Sequence, residues 1–163
     1  ILGTSAADRE KQEAAKAARA ALSNKARPAL DGQLFDAACK GDAVAIERLA
    51  AEGASPNAKG GWQNGVPAVY MAALKGHAGA VSALAQLGAD LDARASHNGM
   101  TALMDAADSG DVEMARALLE RGAARNLRAT GGSRFKGKTA LELAEGKGHD
   151  EVVGLLRGRE GVG

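Results

Sequence analysis

A chain of 163 residues, 45% of them apolar, can build the core of one domain, but only 2% are aromatic, so that core must be made of small side chains. Lysine plus arginine (21) nearly cancels aspartate plus glutamate (20), and the net charge of +1 gives no global pull toward nucleic acid or a membrane surface. The single Cys39 excludes an internal disulfide and a cysteine zinc cluster, and no apolar run approaches the ~18–20 residues of a membrane span.

The chain opens on Ile1-Leu2-Gly3-Thr4-Ser5-Ala6-Ala7, which reads in two compatible ways. It resembles the tail of a secretory leader, with Thr4 and Ala6 in the small-residue positions before a cut at Ala7; that favours a bacterial periplasm over the cytoplasm. Alternatively, Ser5 is a helix N-cap, with Asp8 three residues on. From Ser5 to about Asn24 strong helix formers dominate, with Asp8 and Glu10 at the start and Arg19 and Lys25 at the end. The contact stripe of this helix is expected at Ala14, Ala17, Ala18, Ala21 and Leu22. It either caps the first repeat or projects into solvent, and Pro28 is expected to end it. Residues 1–30 therefore form an N-terminal extension ahead of a repeat domain at 31–163.

In that domain one phrase returns four times, small residues followed by glycine. It reads Ala37-Ala38-Cys39-Lys40-Gly41-Asp42, Ala72-Ala73-Leu74-Lys75-Gly76-His77, Ala106-Ala107-Asp108-Ser109-Gly110-Asp111 and, more weakly, Ala144-Glu145-Gly146-Lys147-Gly148-His149. The glycines step by 35, 34 and 38 residues, and Gly53, Gly88 and Gly122 follow the first three by 12. Such periods mean stacked supersecondary units that bury their apolar faces against one another. Each unit predicts two short helices. Thr101 caps Ala102 to Ser109, Gly110 breaks the chain, and Asp111 caps a helix carrying Val112, Ala115, Leu118 and Leu119 at helical spacing. Val44, Ile46 and Leu49, then Val81, Leu84 and Leu87, then Val152, Val153, Leu155 and Leu156 repeat that pattern.

These phrases resemble the ankyrin repeat. Gly99-Met100-Thr101-Ala102-Leu103-Met104-Asp105-Ala106-Ala107-Asp108-Ser109-Gly110-Asp111 and Leu118-Leu119-Glu120-Arg121-Gly122-Ala123 carry the likeness, which covers about Asp31 to Arg157. It implies an all-α solenoid of stacked helix-turn-helix units with hairpin finger loops, in repeats at about 31–58, 59–92, 93–126 and 127–160. The chain departs from the family in lacking a Thr-Pro pair: alanine follows Thr101 and Thr139, and Gly65-Val66-Pro67 stands in the second unit. The first unit has no clear preceding hairpin, and the fourth has no closing glycine at the expected spacing.

The resemblance implies that partners lie across the fingers and inner helices, on the concave side. Three fingers exceed the usual length: Asn57 to Gly65 by about two residues, Asp92 to Gly99 by one, and Asn126 to Gly137 by about five. Stacking needs none of these insertions, and loops carry function. Trp62 and Phe135 fall in the longest fingers, where each ring either anchors a partner or folds back over a neighbouring helix. Phe35 and Tyr70 fall in inner helices and read as structural. The expected partner-binding residues are Trp62, Gln63, Met71, Arg94, His97, Asp105, Asp108, Arg134 and Phe135. A basic run (Arg121, Arg125, Arg128, Arg134, Lys136, Lys138) stands beside an acidic groove of Asp36, Asp105 and Asp108; the run either steers a partner or is charge scattered over several faces.

Catalytic and metal signatures are weak. His77 and His149 occupy the family's structural Gly-His position, and His97 has no second histidine or cysteine nearby for a metal. Lys136-Gly137-Lys138-Thr139 lacks a phosphate-loop ending, and no serine or cysteine has a base at motif spacing. Neither enzyme activity nor a cofactor is expected. The expectation is a protein-binding module, monomeric when free, whose partner is another protein. The abundance of alanine, glycine and arginine points to a GC-rich bacterial genome, and small bacterial ankyrin proteins resemble inhibitors or immunity proteins that block a hydrolase or effector toxin. The alternatives are an accessory protein that stabilises an exported enzyme, and a binder of an anionic ligand or nucleic acid through residues 121–138.

Overall fold

The computed structural model describes residues 4–60 and 65–158. Among them are nine α-helices: α1 (Ala6–Ala21), α2 (Ala26–Lys40), α3 (Ala43–Ala51), α4 (Ala68–Leu74), α5 (Ala78–Gln86), α6 (Ala102–Ser109), α7 (Val112–Glu120), α8 (Ala140–Lys147) and α9 (Asp150–Leu156). Two short strands, β1 (Lys59–Gly60) and β2 (Val66–Pro67), pair antiparallel at the base of the first finger. The helices pair as α2/α3, α4/α5, α6/α7 and α8/α9. The inner row α2, α4, α6, α8 and the outer row α3, α5, α7, α9 each stack in chain order. The expected all-α ankyrin solenoid is therefore the fold.

Local chemistry sets the boundaries. Thr101 Oγ1 accepts from the Met104 N–H at 3.3 Å to start α6, and Asp111 Oδ1 accepts from the Met114 N–H at 3.0 Å to start α7. Thr139 and Glu142 form a reciprocal capping box on α8, as Ser5 and Asp8 do on α1. Gly41, Gly110 and Gly148 end inner helices in the left-handed region, where a side chain would be strained. In the fourth unit a closing glycine, Gly158 at φ 71°, arrives early because α9 has seven residues where α7 has nine.

Packing follows the small-residue composition. Ala38, Ala72, Ala107 and Ala144 are fully buried, which lets neighbouring inner helices approach closely, while Leu34, Ile46, Val81, Leu84, Leu118 and Val152 fill the space between rows. Two histidines fasten adjacent units. His77 Nε2–H donates to the Cys39 carbonyl at 3.2 Å with its ring over Gly41, and His149 Nε2–H donates to the Asp108 carbonyl at 3.2 Å with its ring over Gly110. A Cβ on either glycine would come within 2.6 Å of the histidine Nδ1. At the intervening boundary the histidine position holds Asp111, and nothing among the described residues lies within 4 Å of a Cβ built on Gly76.

Two expectations about the N-terminal segment are corrected. α1 ends at Ala21, and Pro28 sits in the first turn of α2, where its missing N–H would have no helical partner. The contact stripe of α1 is not the row of alanines: Ala14, Ala17 and Ala21 are exposed, Ala15 is buried, and Gln12, Ala18, Arg19 and Leu22 are half-buried. α1 packs on α3 and reaches the end of α5 through a hydrogen bond from Gln12 Nε2 to the Gln86 carbonyl, 2.9 Å.

Candidate partner-binding face

A polar network occupies the inner face where the second and third units meet. Tyr70 on α4 donates its hydroxyl hydrogen to Asp105 Oδ1 on α6 at 3.1 Å and accepts from Asn98 Nδ2 at 2.8 Å. Asn98 also fixes its own turn, because its Oδ1 accepts from the Met100 N–H at 3.0 Å. The exposed His97 ring stands edge-on to Tyr70, with centroids 5.9 Å apart and planes at 82°. Burial pushes the Asp105 carboxyl above the ordinary carboxylate range. The Tyr70 hydrogen bond opposes this, the nearby Asp108 charge adds to it, and His97 and Lys147 oppose it. Burial also drives the Tyr70 hydroxyl well above its usual value, against the Asn98 bond and together with the negative charge of Asp105 and Asp108.

One helical turn along α6, Asp108 accepts from Lys147 Nζ at 3.0 Å and stands 4.0 Å from an Arg134 guanidinium nitrogen. Arg134 belongs to a 3₁₀ turn (Ser133–Phe135) in the third finger and lies over the Phe135 ring, 4.4 Å from its centroid. Phe135 is half-buried and packs against the core, so its ring folds back onto the repeats. Between this turn and α8 lies a small cleft of about 170 Å³ lined by Asp108, Arg134, Phe135, Lys138, Leu143 and Lys147.

The fingers are stitched to one another. The Ser96 N–H donates to the Gly65 carbonyl at 3.0 Å, and the Thr130 N–H to the Gly99 carbonyl at 3.1 Å. The Arg94 guanidinium donates to the carbonyls of Gly99 (3.3 Å) and Arg128 (2.8 Å), which binds the second finger to the third. Gly131 crosses directly over the Asn98 carbonyl and the Gly99 nitrogen, where any Cβ would collide with backbone. Part of the third-finger insertion therefore serves close backbone approach.

The expected site residues divide accordingly. His97, Asp105, Asp108, Arg134 and Phe135 form one continuous cluster around the Tyr70 network. Met71 is half-buried on α4 against the core, and the Arg94 charge is turned to finger carbonyls. Trp62 and Gln63 lie outside the described residues. Asp36 is exposed on α2, in the first unit. The basic run is scattered: Arg125 donates to the Leu155 and Leu156 carbonyls at the end of α9, Arg128 to the Gly137 carbonyl, and Arg134 turns to Asp108. Sequence reading missed Tyr70, Asn98 and Lys147 as site residues. The signal for Tyr70 was its place in the chain's register, aligned with Phe35 one unit earlier but carrying a hydroxyl that needs partners.

Among the described residues no group of three or more histidine, cysteine or acidic side chains could hold a metal ion, and no helix is long and apolar enough to cross a membrane. The family model for ankyrin repeats (3 copies) matches residues 34–129, more than half the chain, and the protein belongs to the ankyrin-repeat family. The ankyrin repeat and KH domain-containing protein mask of Drosophila melanogaster is 39% identical over 92 residues. That match covers 56% of this chain and 2% of the fly protein's length. Ankyrin repeats are non-catalytic protein-interaction modules, and the chain is a protein-binding module in that sense.

Proposed function

We propose that this module works by occupancy, as an inhibitor or immunity-type protein that lays its inner face and fingers over the cleft of a partner enzyme or effector. The observation that supports this reading is the cluster around Tyr70. An exposed imidazole, a half-desolvated carboxylate and an exposed guanidinium are gathered on one face, held by a ring contact, a hydrogen bond and an ion pair respectively. Preformed polar groups of mixed charge, set beside aromatic rings, suit a protein surface better than a uniform polyanion. Arg125, Arg128 and Arg134 are turned to the α9 carbonyls, the Gly137 carbonyl and Asp108, which weighs in the same direction, because nucleic acid binding needs cations that act together on one track.

The test is capture of the partner by the whole chain and by a His97→Ala/Arg134→Ala double variant, followed by assay of the captured protein's activity. Wild-type capture, at least tenfold weaker capture by the variant, and loss of the partner's activity on addition of the chain are expected. A partner whose activity persists or lasts longer in the complex would replace inhibition with an accessory, stabilising role. Equal capture by wild type and variant would move the interface off this face.

A further inference from the structure

α1 lies across the ends of α3 and α5, and its grip is narrow. Of its sixteen residues only Ala15 is buried. Three polar ties hold it. Lys11 pairs with Glu47 at 3.6 Å, Gln12 reaches the Gln86 carbonyl, and Arg19 forms a two-pronged pair with Asp31 at 2.7 and 2.9 Å while also donating to the Gly53 carbonyl at 3.1 Å. Gly53 admits the helix backbone itself: a Cβ there would stand 2.9 Å from the Arg19 nitrogen and 3.0 Å from the Ala18 carbonyl carbon. Arg27 Nε donates back to the Arg19 carbonyl at 3.2 Å, fastening the last turn of α1 to the first of α2.

Asp31 has a second duty. Its Oδ1 also accepts from the Ser55 N–H at 2.7 Å. One unit on, Asn57 Oδ1 accepts from the Asp90 N–H at 2.7 Å, and one further, Asp92 Oδ1 accepts from the Ala124 N–H at 2.8 Å. The acceptors Asn57 and Asp92 stand at the bases of fingers. The first unit has no preceding finger, and Asp31 on the lengthened α2 supplies the acceptor in its place. Arg19 then neutralises a carboxylate that has replaced a finger. The same pair walls a cleft of about 1000 Å³ between the start of α2 and the first finger, lined also by Arg27, Phe35, Asp36 and Lys59.

We propose that α1 is a releasable strap: it leaves its seat as a unit while the four repeats stay stacked, and the Arg19–Asp31 pair is the lock. Burial of Ala15 and of parts of Ala18 and Leu22 supplies little hydrophobic hold. The repeats bury their faces against each other, so α1 can open without unstacking them. Release uncovers Gly53 and takes one wall from the cleft, and a protein seated in that cleft is thereby coupled to the strap.

Hydrogen exchange on the intact chain, read by mass spectrometry, tests this directly. In the wild type the amides of α1 should exchange at least tenfold faster than those of α6. Arg19→Ala and Asp31→Asn should each speed α1 by a further factor of about ten and leave α6 unchanged; the asparagine keeps an oxygen for the Ser55 N–H, so the first repeat keeps its ladder bond. Exchange of α1 and α6 at one common rate in the wild type would overturn the proposal. So would variants that accelerate both helices alike.

Discussion

Replacing Tyr70 with phenylalanine deletes one oxygen and leaves a ring of the same shape in a site that is 1% exposed. Two hydrogen bonds go with it, one to a carboxylate at 3.1 Å and one from an amide at 2.8 Å. A bond to a charged group contributes about 1.5–3 kcal/mol and a neutral one about 1 kcal/mol. Asp105 and Asn98 are only half-buried, so water recovers part of both, and a net loss of about 2 kcal/mol is expected at pH 7. With a urea dependence of about 2 kcal/mol per molar, the denaturation midpoint followed by circular dichroism at 222 nm should fall by about 1 M. The Tyr70 bond holds the Asp105 carboxyl down against its burial, so its loss raises that carboxyl further and costs most when Asp105 is ionised. The destabilisation should therefore be larger at pH 7 than near pH 4. A loss below about 0.5 kcal/mol at both values, with no pH dependence, would refute the claim that this network joins the second and third units.

Leu118→Ala should cost about 2–5 kcal/mol in the same urea assay, because Leu118 is fully enclosed on α7 between α5 and α9; a cost near zero would remove it from the core. Asp105→Asn keeps an acceptor for Tyr70 and removes a carboxylate whose pKa is raised by burial; such a group contributes stability below its unfolded value, lost as pH rises through its folded value. The variant should melt higher than wild type at pH 7 and equally at pH 3. Absorbance at 295 nm should show the single Tyr70 staying un-ionised past its ordinary value of about 10; its ionisation should coincide with alkaline unfolding, because only the unfolded chain releases that proton there. Burial also raises the Cys39 thiol, despite the nearby Lys75, so alkylation by iodoacetamide at pH 7.5 should be several-fold slower than for an unstructured peptide.

Features that depend on a few neighbouring residues were legible in the sequence. Thr101, Asp111 and Ser5 cap the helices they were expected to cap, and Gly41, Gly110 and Gly148 turn the chain where the repeated phrase put them. Features that depend on a distant partner were not. The inward side of α1 was sought among its alanines, but Gln12 and Arg19 had carbonyls and a carboxylate to satisfy across the molecule, and these fix the rotation of the helix. Nor does the sequence around Glu47 announce that it meets Lys11 of α1. The insertion around Gly131 was read as a partner-binding finger that stacking does not need, yet its glycine is demanded by a backbone crossing from another unit. The likeness of Tyr70 to Phe35 hid a hydroxyl whose partners stand 28 and 35 residues away.

The imidazole rings seated over Gly41 and Gly110 divide the array unevenly. They rivet the first unit to the second and the third to the fourth, while the middle seam has an aspartate where a ring would sit and open space beside Gly76. In a linear array each seam fails on its own terms, so under load the molecule should part into two riveted halves before any half comes undone. Tyr70 and Asp105 reach across that middle seam on the inner face. A protein lying across α4 and α6 on that face would act as the absent rivet, and some of its binding energy would be spent on making one rigid body out of two.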